Sequence, residues 1–112
     1  MDLKTLSARL AEFRDERGWQ RFHNPKDLAL ALSVEATELL ECFLWSSPAE
    51  LTHKERLAMG SEAADILFYL LFFCDAAGID LTEAAEAKFH VNKIRFPPAE
   101  CRKRGLVPPI EK

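Results

Sequence analysis

The stretch THKERLAMGSEAADILFYLLFFCDAAG, residues 52–78, decides the fold. Thr52 and Glu55 stand at the spacing of a capping box, in which a threonine hydroxyl and a glutamate three residues later each satisfy the other's backbone N–H. Gly78 offers the residue that best tolerates the left-handed turn ending a helix. Neither proline nor strict polar-apolar alternation intervenes, so the segment reads as one helix running to about Ala77. That helix is apolar on almost every side and needs cover all round. Its most apolar run, Ile66 to Cys74, is bounded by Asp65 and Asp75 and is too short to span a bilayer, so it reads as a core helix.

The flanking sequence supplies the cover as more helices. Leu3, Leu6, Leu10 and Phe13 form one helical stripe over residues 2–17, ended near Gly18. Asn24 before Pro25 suits an N-cap followed by a first helical position, and Leu28, Leu32, Leu39 and Cys42 carry a second stripe to Trp45, where Ser46-Ser47-Pro48 breaks it. Asp80 or Thr82 can cap a fourth helix through Arg95, after which Pro97-Pro98 forbids continuation. The tail, residues 97–112 with Pro108-Pro109, is expected to be irregular. The expected architecture is a single all-α, four-helix domain over residues 1–112. Three short neighbours cover the central helix poorly, so a second subunit is expected to pack against it.

Composition narrows the function classes. With 48% hydrophobic and 29% charged residues the chain is a folded domain rather than a disordered one. A net charge of −3 gives no reason to expect a nucleic-acid polymer as partner. Cys42, Cys74 and Cys101 are odd in number and lack a C-x-x-C pattern, which argues against a disulfide framework and a zinc site. Met1-Asp2-Leu3-Lys4 opens no secretory signal. A cytoplasmic protein with reduced thiols and no membrane association is the expectation.

Two acidic pairs, Glu35-x-x-Glu38 and Glu62-x-x-Asp65, interrupt the two most apolar helices. Helical residues three apart share a face, so each pair points its carboxylates the same way, among core positions. Carboxylates are costly there unless something cationic holds them. If the two helices are neighbours, all four converge and form the hard oxygen donor set that Mg²⁺ or Mn²⁺ prefers. The plainer reading, a solvated face or a surface ion-pair network, suits Glu41, Glu50 and Glu55 better than these pairs. In neither pair is the third residue after the glutamate the histidine used by bundle di-iron sites, since Glu38 follows Glu35 and Asp65 follows Glu62, so redox chemistry falls behind and metal-assisted phosphate hydrolysis comes forward.

Lys88, Asn92 and Arg95 recur at helical spacing and can grip a polyphosphate, unless they are only a polar helix surface. Trp19, Trp45 and Tyr69 can stack on a nucleobase, with core packing as the alternative. His23, in a loop, can touch substrate or simply cap structure.

Together these residues resemble a known family. The E-x-x-E and E-x-x-D pairs at this separation resemble the signature of the all-α nucleoside triphosphate pyrophosphohydrolases, the MazG-like superfamily. Arg14-Asp15-Glu16-Arg17-Gly18-Trp19 through Phe22-His23, Asn24 to Leu28, Glu35 to Glu41, Phe43-Leu44-Trp45, and the Lys88, Asn92, Arg95-Phe96-Pro97 pattern are similar to its dCTP pyrophosphatase branch. The resemblance implies hydrolysis of a (deoxy)nucleoside triphosphate, with dCTP or a modified dCTP first, to the monophosphate and pyrophosphate. It implies a metal bound by Glu35, Glu38, Glu62 and Asp65, with Glu38 also orienting or deprotonating the attacking water. Lys88, Asn92 and Arg95 would hold phosphates, while Trp19, Trp45 and Tyr69 enclose the base and sugar. It also implies a homotetramer built as a dimer of dimers, and nucleotide-pool clearance as the task. The alternative is a non-catalytic helical oligomer that senses nucleotides or serves as an interaction module.

Overall fold

In the computed structural model, which describes residues 1–44 and 51–104, the described residues form five α-helices and one 3₁₀ turn, with no strand among them. In chain order these are α1 (Leu3–Glu16), the 3₁₀ turn (Trp19–Phe22), α2 (Pro25–Glu41), α3 (His53–Ala77), α4 (Leu81–Arg95) and α5 (Pro98–Arg104). The all-α expectation holds, with one helix more than the four expected. Trp45, the break at Ser46-Ser47-Pro48 and the Pro108-Pro109 segment lie outside the described residues.

Local chemistry sets the boundaries. Asp2 accepts from the Thr5 N–H at 2.8 Å and opens α1. Gly18, at φ 66°, takes the left-handed turn that leads from α1 into the 3₁₀ turn. Asn24 Oδ1 accepts from the Asp27 N–H at 2.9 Å, with Pro25 in the first turn of α2. The capping box is complete: the Glu55 N–H donates to Thr52 Oγ1 at 3.1 Å, and the Thr52 N–H donates to Glu55 Oε1 at 2.8 Å. Backbone hydrogen bonding of this kind holds the Asp2 and Glu55 carboxyls below the usual carboxylate range. Gly78, at φ 69°, ends α3, and Asp80 rather than Thr82 caps α4 by accepting from the Glu83 N–H at 3.0 Å.

The chain divides into two compact units, Met1–Ile79 and Asp80–Lys112. In the first, α3 packs along α2 and also against α1. Its core is Leu28, Met59, Leu71, Phe72 and Cys74, and all but Leu28 belong to α3. The helix that looked most in need of cover is thus the one the unit is built around. The full helix is also long and apolar enough, by length and composition, to cross a bilayer, which the short run Ile66 to Cys74 alone is not. Its place against α1 and α2, and the carboxylates it carries, give that apolarity a nearer use as a domain core. Leu30 and Val34 on α2, Leu40 near its end and Leu57 on α3 remain more than half exposed.

The second unit contains α4 and α5, and here the tail departs from expectation. Residues 98–104 are helical rather than irregular. Pro97 cannot continue α4, but a proline is well suited to a first helical position, where its missing N–H has no partner to lose. Pro98 therefore starts a new helix, with the Cys101 N–H donating to Pro97 O at 3.0 Å. Glu100 near its start and Arg104 at its end pair at 3.0 Å, an i,i+4 arrangement that also complements the helix dipole.

Replacing Thr52 with Ala should lower stability by about 1 kcal/mol through loss of the cap. Phe72→Ala should cost about 3 kcal/mol by opening a cavity in the core. Urea unfolding followed by far-UV circular dichroism checks both; equal losses would mean that α3 is not the core helix.

Candidate functional site

The packing of α2 on α3 brings three of the four predicted carboxylates together. Glu35, Glu62 and Asp65, all half-buried, each present an oxygen within 4.8 Å of the others. Glu35 Oε2 and Glu62 Oε2 are fully shielded and have no hydrogen-bond donor. Neighbouring carboxylates can share a hydrogen bond only when one of them carries a proton. Accordingly Glu35 is pushed up to about 7, first by burial, then by hydrogen bonding and charge from Glu38, by the charge of Asp65 and by hydrogen bonding with Glu62. At neutral pH the group sits between holding a proton and needing a cation.

Glu38 lies on the same α2 face, one turn beyond Glu35, but is exposed and is not one of the three converging groups. Four converging carboxylates were expected, Glu38 with a further role on the attacking water; the structure shows a convergent trio and, beside it, Glu38 exposed to solvent. The donor set is oxygen only, and its shielded lone pairs lack donors. That is the chemistry a small divalent cation such as Mg²⁺ or Mn²⁺ satisfies, and Glu35, Glu62 and Asp65 are the residues that would hold it.

An aromatic group continues the α3 face that carries the acidic pair. Tyr69 follows Asp65 by four residues and Phe72 follows Tyr69 by three, so the stripe runs from carboxylates to rings. The His23 imidazole packs edge-on against Phe72, with centroids 4.8 Å apart and planes at 62°, and Tyr69 meets the same ring at 6.4 Å. Burial, then the charge of Arg14, lowers the His23 pKa, so the ring is neutral at pH 7, with Nδ1 shielded and unpartnered. Trp19, in the 3₁₀ turn, rests against Phe13 at 5.6 Å and 73°, and the Arg17 guanidinium lies 3.6 Å from the Phe13 ring. Phe13 and Phe72 were legible only as stripe residues; nothing in their spacing marked them as the supports of Trp19 and His23.

Lys88, Asn92 and Arg95 do lie on α4, in the second unit, with Asn92 half-buried and the two cations exposed. The Arg95 guanidinium is 5.2 Å from the Phe96 ring. Trp45 lies outside the described residues.

Comparison with known proteins places this arrangement. The chain is 41% identical over 92 residues to dCTP pyrophosphatase 1 of Rattus norvegicus and 38% identical over 92 residues to that of Homo sapiens, in each case over 78% of this chain and 54% of the relative. It thus spans about half the length of the curated relatives it matches. Among solved structures, a pyrophosphatase from Archaeoglobus fulgidus superposes with a TM-score of 0.69 at 39% identity, covering 85% of this chain and 92% of that one. The sequence profile of the MazG-like family matches residues 30–100, a span that contains both acidic pairs and all of α4, and on this match the chain belongs to the MazG-like family.

Proposed function

We propose that this chain is a divalent-metal-dependent hydrolase of (deoxy)nucleoside triphosphates, with dCTP or a modified dCTP as first substrate, that releases the nucleoside monophosphate and pyrophosphate. The observation that carries the reading is the convergence of Glu35, Glu62 and Asp65, with two shielded oxygens that have no donor. The relatives named for dCTP pyrophosphatase activity, and the pyrophosphatase of similar fold, support the choice of reaction.

Glu35, Glu62 and Asp65 would hold the cation, Mg²⁺ or Mn²⁺, with Glu38 completing the acidic set. Such a cation, when bound, neutralises phosphate oxygens and acidifies water. Glu38, the carboxylate left outside the trio, orients the attacking water and takes its proton. The water oxygen bonds to phosphorus, the α–β phosphoanhydride bond breaks, and pyrophosphate leaves. Lys88, Asn92 and Arg95 hold the phosphates. Trp19, Trp45 and Tyr69 enclose base and sugar, and neutral His23 can offer a hydrogen bond to the base. The exposed leucines and Val34 of the first unit suit a second copy of the chain, in a homotetramer arranged as a dimer of dimers. Nucleotide-pool clearance in the cytoplasm is the role that goes with this reaction.

A panel of dNTPs and NTPs with Mg²⁺ should show pyrophosphate and monophosphate appearing together; release of single phosphates would place the reaction at a different bond. Nucleotide binding without any turnover would make the chain a sensor rather than an enzyme. Glu38→Gln should lower kcat by about 100-fold or more while Mn²⁺ binding, followed by calorimetry, persists. Wild-type turnover in that variant would remove Glu38 from its role.

The raised Glu35 pKa sets a stability profile. Between the ordinary carboxylate value of 4.5 and about 7 the folded chain retains a proton that the unfolded chain has lost. Stability of the metal-free protein should therefore fall as pH rises through that window and level off above it. Saturating Mg²⁺ should restore the loss at pH 8 and release protons on binding. Thermal melts in chelator and in Mg²⁺ across this range check it, and a flat chelator profile would refute the strained carboxylate cluster.

A further inference from the structure

Arg14 makes the one ion pair that joins two helices among the described residues. Its Nη1 donates to Asp75 Oδ2 of α3 at 2.7 Å, and its Nε donates to neighbouring Asp15 Oδ1 at 2.8 Å. The Arg14 side chain is only 13% exposed, although both partners are about half exposed. A pair with one solvated partner contributes little to stability, so its directed geometry calls for another use. The guanidinium fork fixes direction as well as distance, because two of its N–H groups are committed to two different carboxylates.

The position of the pair supplies that use. Arg14 directly follows Phe13, the ring against which Trp19 rests. Asp75 lies three residues beyond Phe72, the ring against which His23 rests, and so shares its face of α3. Trp19 and His23 bracket the 3₁₀ turn, which begins just after the left-handed Gly18. The last turn of α1 and the last turn of α3 are thereby clamped on either side of the segment that carries both residues. We propose that the Arg14–Asp75 ion pair is a latch that sets the spacing between the Trp19–His23 segment and the Tyr69–Phe72 face of α3, and through it the fit of the nucleotide base. Arg14 and Asp75 are positioning residues here and touch no substrate. Burial first, and the charge of Arg14 second, favour the neutral form of His23 in this segment.

The proposal rests on the nucleotide reading above, and its test separates the two. Asp75→Asn and Arg14→Met should each raise KM for the preferred nucleotide roughly tenfold and narrow its preference over a purine nucleotide, with kcat within about twofold. The Mn²⁺ affinity of the acidic cluster should not change, and Asp75→Glu should retain wild-type behaviour. The double variant should be no worse than the poorer single, because both lose the same contact. Unchanged KM and preference, additive losses, or a parallel loss of Mn²⁺ affinity would each overturn the latch. In a Trp45→Phe background Trp19 is the remaining tryptophan of the two in the chain. Its quenching by acrylamide should rise when Asp75→Asn is added; equal quenching refutes the latch even if no nucleotide is ever turned over. A wild-type chain inactive on every nucleotide would defeat the functional reading and leave this quenching comparison to decide the latch.

Discussion

Everything in the first unit turns on a conflict inside α3, a helix that must be the hydrophobic core and must also carry carboxylates. Met59, Leu71, Phe72 and Cys74 bury one part of it. Glu62 and Asp65 lie between those positions and meet Glu35 from α2. Burial of apolar area favours bringing α2 and α3 close, at roughly 25 cal/mol per Å² removed from water. The same approach brings three acids together, and burial with the neighbouring carboxylates raises the cost of ionising Glu35. A proton on Glu35 relieves the conflict partly; a divalent cation relieves it fully, because it supplies charge to all three groups at once. If the cluster holds the proposed cation, fold stability and ligand binding would draw on the same residues.

That coupling also separates the roles of the four acids. Glu35, Glu62 and Asp65 meet where α2 packs on α3 and are partly shielded from water there, which suits them to hold a cation under the proposed function. Glu38 keeps its water, and a base that must exchange protons with a substrate water gains from that access. Sequence spacing treats Glu35 and Glu38 as equivalent because both lie on one face of α2. Depth distinguishes them, and depth depends on how α3 lies against α2, which spacing along one helix does not encode.

The same distinction marks what was legible from the sequence. Caps are local chemistry, so Asn24, Thr52 with Glu55, and Gly78 placed the ends of α2 and α3 to within a few residues. The tail was misjudged because a proline pair stops one helix and starts another with equal ease. The 3₁₀ turn at Trp19–Phe22 has no periodic signal of its own and depends on Phe13 and Phe72 for support. The acidic trio was legible because energetic cost shows in sequence as charge among apolar residues. Arg14 and Asp75 lie far apart in sequence and look like ordinary surface charges, so their pairing belongs to tertiary structure alone.

The order of residues along α3 explains how metal and base could be read by one helix. Carboxylates at positions 62 and 65 are followed by rings at 69 and 72 and a carboxylate at 75, all at steps of three or four. A triphosphate is itself a linear object, anionic at one end and aromatic at the other, with the sugar between. On the proposed reading, a helix face that passes from the Glu62 and Asp65 carboxylates to the half-buried ring of Tyr69, backed by the buried Phe72, matches that polarity. A nucleotide bound in reverse would set its phosphates beside the Tyr69 ring and its base against the acids, losing stacking and charge complementarity together. Under the proposed function α3 would favour one orientation of the substrate, with Glu35 of α2 completing the acidic trio.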